Sequence, residues 1–485
     1  MEQLVYEIPE GSGELRIESG ELSTIICYRQ NIAEKKGLRM KRTLIHNALI
    51  VNEGKTVQGS VVVANGRIAE VLTDGKPLSA PCDEMVDATG CYLLPGVIDD
   101  HVHFRDPGLT AKADIGTESR AAAAGGVTSI MDMPNTKPQT TTLTALENKL
   151  AALNERCVVN HSCYYGATNN NYRDFAKLDR SRVCGIKLFM GSSTGNMLVD
   201  RIDSLRRIFS GTDMLIAAHC EDPAVIQRNM RRYQEKYGDS EVPIGRHPYI
   251  RSGEACYKSS ELAVSLARET GARLHVLHVS TEKELKLFEP LPLADKKITA
   301  EACVSHLYFT ADDYATLGAR IKCNPSIKRV TNREALREAV RQGRIDVIAT
   351  DHAPHLLTDK EGGALKAASG MPMIQFSLVT MLELATEGVF SLEQVVEKMC
   401  HAPAQLFRIN GRGYIREGYW ADLVLVRPHS PWTVTADCIE SKCGWSPLEG
   451  HTFDWKVEKT FVNGRLAYDN GQVDGECRGE ELRFG

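Results

Sequence analysis

From Met40 the chain reads MKRTLIHNALIVNEGKTVQGSVVVANGRIAEV, in which short apolar runs are broken by turn residues such as Asn65-Gly66. Runs of this length, bounded by Asn and Gly, predict β-strands joined by tight turns. Residues 1–39 show little apolar periodicity. They are read as an N-terminal extension, loosely packed or disordered, with a start of translation at Met40 as the other reading.

Between about residues 90 and 405 the pattern changes to short apolar runs alternating with longer stretches of helical period. Eight candidate strands stand out: YLLPGVIDDHVHF, VTSIMDM, CVVNHSCYYG, VCGIKLFM, DMLIAAHC, ARLHVLHV, KITAEAC and IDVIATDHAPH. Intervals such as 137–156 and 221–270 supply helices between them. Repeated βα units predict a parallel sheet, and eight of them predict a closed α/β barrel of the TIM type. After residue 405 strands and turns return, as in GYWADLVLVRP and KTFVNGRLAYDNGQV. The expected organisation is a barrel over 93–405 and a smaller β-sandwich domain assembled from 40–92 and 406–485.

Composition narrows the class. With 485 residues, 42% of them hydrophobic, the chain can fill a large core. Its 58 basic and 63 acidic residues give a formal charge of -5 without a basic block, which argues against a nucleic-acid partner. No signal-like pattern opens the chain, and no apolar run approaches the roughly 18 residues that span a bilayer. No membrane partner and a cytoplasmic location are therefore expected. Fourteen cysteines run from Cys27 to Cys477 without a CxxC pair, so reduced and mostly buried thiols are expected. Cys438 and Cys443 lack the second pair that a structural zinc site needs.

The chemistry begins at His101-Val102-His103, at the end of the first barrel strand. Residues two apart on a strand point to one side, so both imidazoles can ligate one metal; a structural histidine pair is the other reading. Lys187, His219, His278 and Asp351 each stand near the carboxyl end of a different predicted strand, the barrel face where catalytic residues gather. Imidazoles and a carboxylate suit zinc, whereas an ammonium repels a cation, so Lys187 reads by itself as a partly buried residue with a snorkelling tip. His275 precedes His278 by three residues and is expected on the opposite strand face as a core histidine, as are His161, His306 and His401 in their own surroundings.

The segments PGVIDDHVHFRDPG, GIKLFMGSSTG, AAHCED, HVLHVST and TDHAPH resemble the cyclic amidohydrolases: dihydroorotases, allantoinases and hydantoinases. The resemblance runs from Met40 to the end. It implies that Lys187 is carboxylated and bridges two metal ions, with His101, His103 and Asp351 holding one ion and His219 and His278 the other. Zinc is the default ion, although this mixed nitrogen and oxygen set also accepts cobalt or manganese. The same resemblance implies a homodimer or homotetramer.

Substrate choice within that family turns on Arg105, two residues beyond His103. Its planar fork suits a substrate carboxylate, or it pairs with a neighbouring acid such as Asp106. The HxR pattern resembles that of dihydroorotases, while allantoinases more often carry asparagine there. Asn135, Asn324 and His355 match further substrate contacts of dihydroorotases; otherwise the two asparagines are turn residues beside proline. The resemblance thus implies small-molecule chemistry, the reversible cyclisation of N-carbamoyl-L-aspartate to L-dihydroorotate, with Asp351 as the proton carrier. Allantoinase, dihydropyrimidinase or hydantoinase activity, and a noncatalytic role beside aspartate carbamoyltransferase, are the competing readings. Leu356 to Met371 is either a cover over the site or a surface connection.

Overall fold

In the computed structural model, which describes residues 41–191, 197–238 and 242–485, both chain ends meet in a single nine-stranded sheet. The N-terminal extension lies outside the described residues. Alternation of apolar and polar positions in Arg42–Asn52 and Lys55–Ala64 buries one face of this antiparallel pair, including Ile45, Ile50, Val61 and Val63. Tyr92–Pro95 joins the ends: Leu49 pairs with Tyr92 on one edge, and Leu423 with Pro95 on the other. Register shifts at Ile45/Ala48, Val62/Val63 and Leu425/Val426 mark bulges, which bend and twist such strands.

Gly96 is where the chain leaves this sheet for the barrel. A Cβ there would lie 2.0 Å from Thr128 Oγ1, so close packing of two strands requires glycine. The barrel strands follow as β1 (Val97–Val102), β2 (Val127–Asp132), β3 (Asn160–Cys163), β4 (Ile186–Phe189), β5 (Ile216–His219), β6 (Leu274–Val276), β7 (Ile298–Cys303) and β8 (Val347–Ala349). The pairs β1–β2, β2–β3 and β4 through β8 are all parallel, and Tyr165–Gly166 continues β3 alongside β4. The ring closes where His103 N donates to His352 O at 2.7 Å beside the parallel bridge of Val102 with His352. This is the eight-stranded barrel that the alternating pattern predicts.

Two apolar layers hold it. Ile130, Ile186, Leu188, Ile216, Ala218, Leu274, Val276, Ala300 and Ala302 face the surrounding helices in the main core. Alternate positions, among them Met131, Leu215, Ala217, Leu277 and Val347, point inward and pack with Leu406 and Phe407. Arg273 at the amino end of β6 donates to Leu406 O, which sets this plug at the end of the barrel away from the site. The helices start where short polar side chains can satisfy free N–H groups. Asp114 caps Ile115–Ala124 with a capping box to Thr117, Asp222 caps Pro223–Tyr237, and Ser252 caps Gly253–Thr270.

A buried carboxylate ties the far end of the chain to the barrel. Glu118 accepts from His352 Nε2 at 2.8 Å, Ser441 Oγ at 2.6 Å and Lys442 N at 3.1 Å. With its Nε2–H so engaged, His352 accepts at Nδ1 from Met373 N, which fixes the segment that follows β8. Among the described residues every cysteine is a free thiol, most of them buried, and no helix is long and apolar enough to cross a membrane.

Candidate active site

The carboxyl ends of the strands enclose a cavity of about 490 Å³ lined by His101, His103, Lys187, His219, His278 and Asp351, with Arg105, Asn135, Asn324 and His355 on its wall. Every site residue singled out in the sequence therefore reaches one cavity. Three of them depend on an unusual backbone: Arg105, His278 and Asp351 have φ of 64°, 38° and 49°. Such left-handed conformations cost about 1–3 kcal/mol each for non-glycine residues and persist where the surrounding structure enforces them.

The donor atoms form two neighbouring groups. Asp351 Oδ1 lies 3.3 Å from His101 Nε2 and 3.2 Å from His103 Nε2. His219 Nδ1 and His278 Nε2 are 2.9 Å apart, and the His101 and His278 rings stand 5.2 Å from each other. Burial holds His101 down to about 3, and it keeps His103 and His278 well below the usual imidazole range. The neutral imidazole is the form that ligates a metal. Lys187 is almost wholly buried, its ammonium 4.7 Å from the Phe189 ring centre, and burial draws its pKa down to about 8.

Partners behind the histidines set which nitrogen faces the cavity. His101 Nδ1 donates to Glu301 Oε1 at 3.0 Å, and Glu301 also accepts from His278 N at 2.8 Å. His219 Nε2 is 3.0 Å from Glu221 Oε2, which is ion-paired with Arg251. His103 Nδ1 is 2.8 Å from Asn135 Oδ1, so Asn135 orients a histidine as well as lining the cavity. The carboxylates behind His101 and His219 and the amide behind His103 leave His101 Nε2, His103 Nε2 and His219 Nδ1 converging with His278 Nε2, as metal ligation requires. The residues present therefore fit a metal centre. Glu301 and Glu221 are absent from the sequence-derived set, although a lone acid inside the apolar strand ITAEAC is a signal that points to Glu301. Glu301→Gln is expected to weaken metal binding by about 10- to 100-fold, measured by competition with a chromogenic chelator.

His275 departs from expectation in direction. It is buried, but it faces the barrel interior, with Nδ1 2.8 Å from Thr299 Oγ1 and Nε2 3.5 Å from Asp100 Oδ2. Alternation puts Leu277 on its side, and the left-handed backbone of His278 then turns that ring inward too. His161, His306 and His401 are buried, and each is hydrogen-bonded to a backbone carbonyl.

On the opposite wall, Arg105 is buried and its Nε donates to Pro354 O at 3.0 Å. Asp106 does not take it: that acid pairs with Arg156 Nη1 at 2.6 Å. Asn324 Oδ1 is buried and has no hydrogen-bond partner among the described residues. Leu356 to Met371 folds back as part of the wall, with Ser369 and Gly370 lining the cavity. Lys360 Nζ pins it by donating to Lys322 O at 3.1 Å, Ala368 O at 2.7 Å and Gly370 O at 2.6 Å.

A family model described as the amidohydrolase family matches residues 92–467, which spans the whole barrel and its exit into the nine-stranded sheet. The chain belongs to the amidohydrolase family. A dihydroorotase of Halobacterium salinarum is 34% identical over 421 residues, 85% of this chain and 96% of that protein. An allantoinase of Bacillus velezensis is 29% identical over 437 residues, 88% and 94% of the two chains. Among solved structures, the L-hydantoinase (dihydropyrimidinase) of Arthrobacter aurescens superposes with a TM-score of 0.84 at 28% identity, covering 90% of this chain and 97% of that one. An amidohydrolase with this site is a hydrolase of small molecules whose polar cavity carries groups able to hold metal ions.

Proposed function

We propose that this amidohydrolase is a dihydroorotase, which opens L-dihydroorotate to N-carbamoyl-L-aspartate and closes it in the biosynthetic direction. The observation that carries this reading is Arg105, a buried guanidinium on the cavity wall with no carboxylate at ion-pair distance among the described residues. Burial lowers its pKa to about 10, still well above neutrality, so it remains a cation. A buried cation without a protein counter-ion calls for an anionic ligand, and its planar fork matches a carboxylate. Dihydroorotate carries one; allantoin, dihydrouracil and hydantoin do not.

His101, His103 and Asp351 would hold one ion, His219 and His278 a second, and Lys187, carboxylated on Nζ, would bridge them. Zinc is the proposed ion. Metal ions there supply Lewis-acid polarisation of the ring amide and activation of water. Arg105, Asn135 and His355 bind the substrate carboxylate, and Asn324 contacts the ring. Asp351 takes a proton as the water oxygen bonds to the ring carbonyl carbon. It delivers that proton to the ring nitrogen as the carbon–nitrogen bond breaks. The reverse sequence closes the ring.

The test is turnover of L-dihydroorotate beside allantoin, dihydrouracil and hydantoin, with the metal content of the protein measured by elemental analysis. Preference for dihydroorotate by about 10- to 150-fold in kcat/KM is expected, since a lost charged contact weakens binding by about 1.5–3 kcal/mol. Preference for a ring without a carboxylate overturns the substrate reading and keeps the metal site. Metal-free protein with no turnover points to a noncatalytic partner.

A further inference from the structure

Lys112 has no place in the reading above, yet its side chain lines the same cavity. A turn places it there: Leu109 N donates to Arg105 O at 2.9 Å, and Lys112 N to Leu109 O at 3.0 Å. Its Nζ lies 2.9 Å from His355 Nδ1 and 3.0 Å from Asp359 Oδ2. On the other side of the ring, His355 Nε2 is 3.1 Å from Ser369 O and 3.0 Å from Arg105 Nη2.

Donor and acceptor rules decide where the ring proton sits. An ammonium can only donate, so Nδ1 facing Lys112 must offer its lone pair. A carbonyl can only accept, so Nε2 facing Ser369 O must carry hydrogen. Both demands are met by the same neutral tautomer; the alternative tautomer lets Nε2 accept from Arg105, and the Asp359 carboxylate, 3.7 Å from Nδ1, lies beyond hydrogen-bond distance of its Nδ1–H. The ring is neutral, because burial and then the cations Arg105, Lys112 and Lys360 push His355 down to about 2. The chosen tautomer brings two donors, His355 Nε2–H and Arg105 Nη2, within 3.0 Å of one another. Two donors converging on the cavity wall are relieved by an acceptor that both can reach, and a carboxylate offers two oxygens.

We propose that Lys112 is a positioning residue that fixes His355 as an N–H donor at Nε2, so that this one hydrogen, shared between Ser369 O and an incoming carboxylate oxygen, forms with Arg105 a two-donor clamp for the substrate carboxylate. This rests on the dihydroorotase reading for its substrate, though not for the tautomer. Asp359 holds Lys112 in place and balances its charge. The amine itself need not touch substrate.

The experiment compares wild type with Lys112→Met and Lys112→Arg, each metal-loaded, by steady-state kinetics and by nitrogen-15 NMR of histidine-labelled protein. The His355 resonance is assigned through its loss in His355→Gln. Wild type should show His355 as the Nε2–H tautomer. In Lys112→Met, KM for L-dihydroorotate should rise about tenfold with kcat changed less than about threefold, the loss expected for one binding hydrogen bond. The His355 signal should shift towards a tautomer mixture. Lys112→Arg, which also donates, should restore both readouts. An Nδ1–H tautomer in wild type, or an unshifted tautomer and KM in Lys112→Met, overturns the role of Lys112. A wild type that turns over only rings without a carboxylate overturns the substrate reading, and with it the clamp.

Discussion

Asp351→Asn is expected to lower kcat for dihydroorotate by about 10³- to 10⁴-fold, at the upper end of what a positioned acid–base group contributes. Asn keeps the shape of the side chain and one carbonyl oxygen, so the left-handed backbone at 351, with φ of 49°, can be retained. What it removes is the basic oxygen that stands 3.2–3.3 Å from the two imidazoles of the HxH pair. A metal analysis of the same preparation separates the two proposed duties of this carboxylate. Loss of kcat with metal retained assigns the defect to proton transfer, whereas loss of both assigns it to ligation. Retention of kcat within tenfold would remove Asp351 from the mechanism.

Arg105→Met is expected to raise KM for dihydroorotate by about 10²- to 10³-fold, because truncating one member of a buried charged contact costs about 2–5 kcal/mol. Methionine replaces much of the buried stem, so the change removes charge more than packing. Steady-state kinetics on the best neutral ring of the substrate panel supply the control, and losses there should stay within about tenfold. Equal losses on both rings would sink the carboxylate assignment. The outcome bears on Asp106 as well. Since that acid is engaged by Arg156, the Arg105→Met variant leaves no acid stranded by the loss of its partner.

Much of the scaffold was legible because strand and helix periods are local properties. Apolar runs of four to eight residues between helical stretches predict the eight strands, and each appears within them, down to KITAEAC as Ile298–Cys303. The HxH pair was legible for the same reason, since alternation along one strand places His101 and His103 together. His275 shows where that reasoning stops. The period of two held only to Leu277, and the positive φ at His278 brought in a ring that strict alternation would have turned away.

The order of strands and helices, the face on which the candidate ligands gather and the residue types that suit a metal and a carboxylate are all written in the chain's local pattern. These follow from neighbours a few positions apart, whose relation is set by backbone geometry. Which nitrogen of each histidine faces the cavity is set by contacts that form only once the barrel has closed. Glu301 meets His101 across 200 residues, and Lys112 meets His355 across 243. Hydrogen-bond partners are chosen by distance in space and not by distance along the chain. Closure of the barrel brings β7 behind β1 and the loop after β1 beside the segment that follows β8, and no local period encodes those meetings.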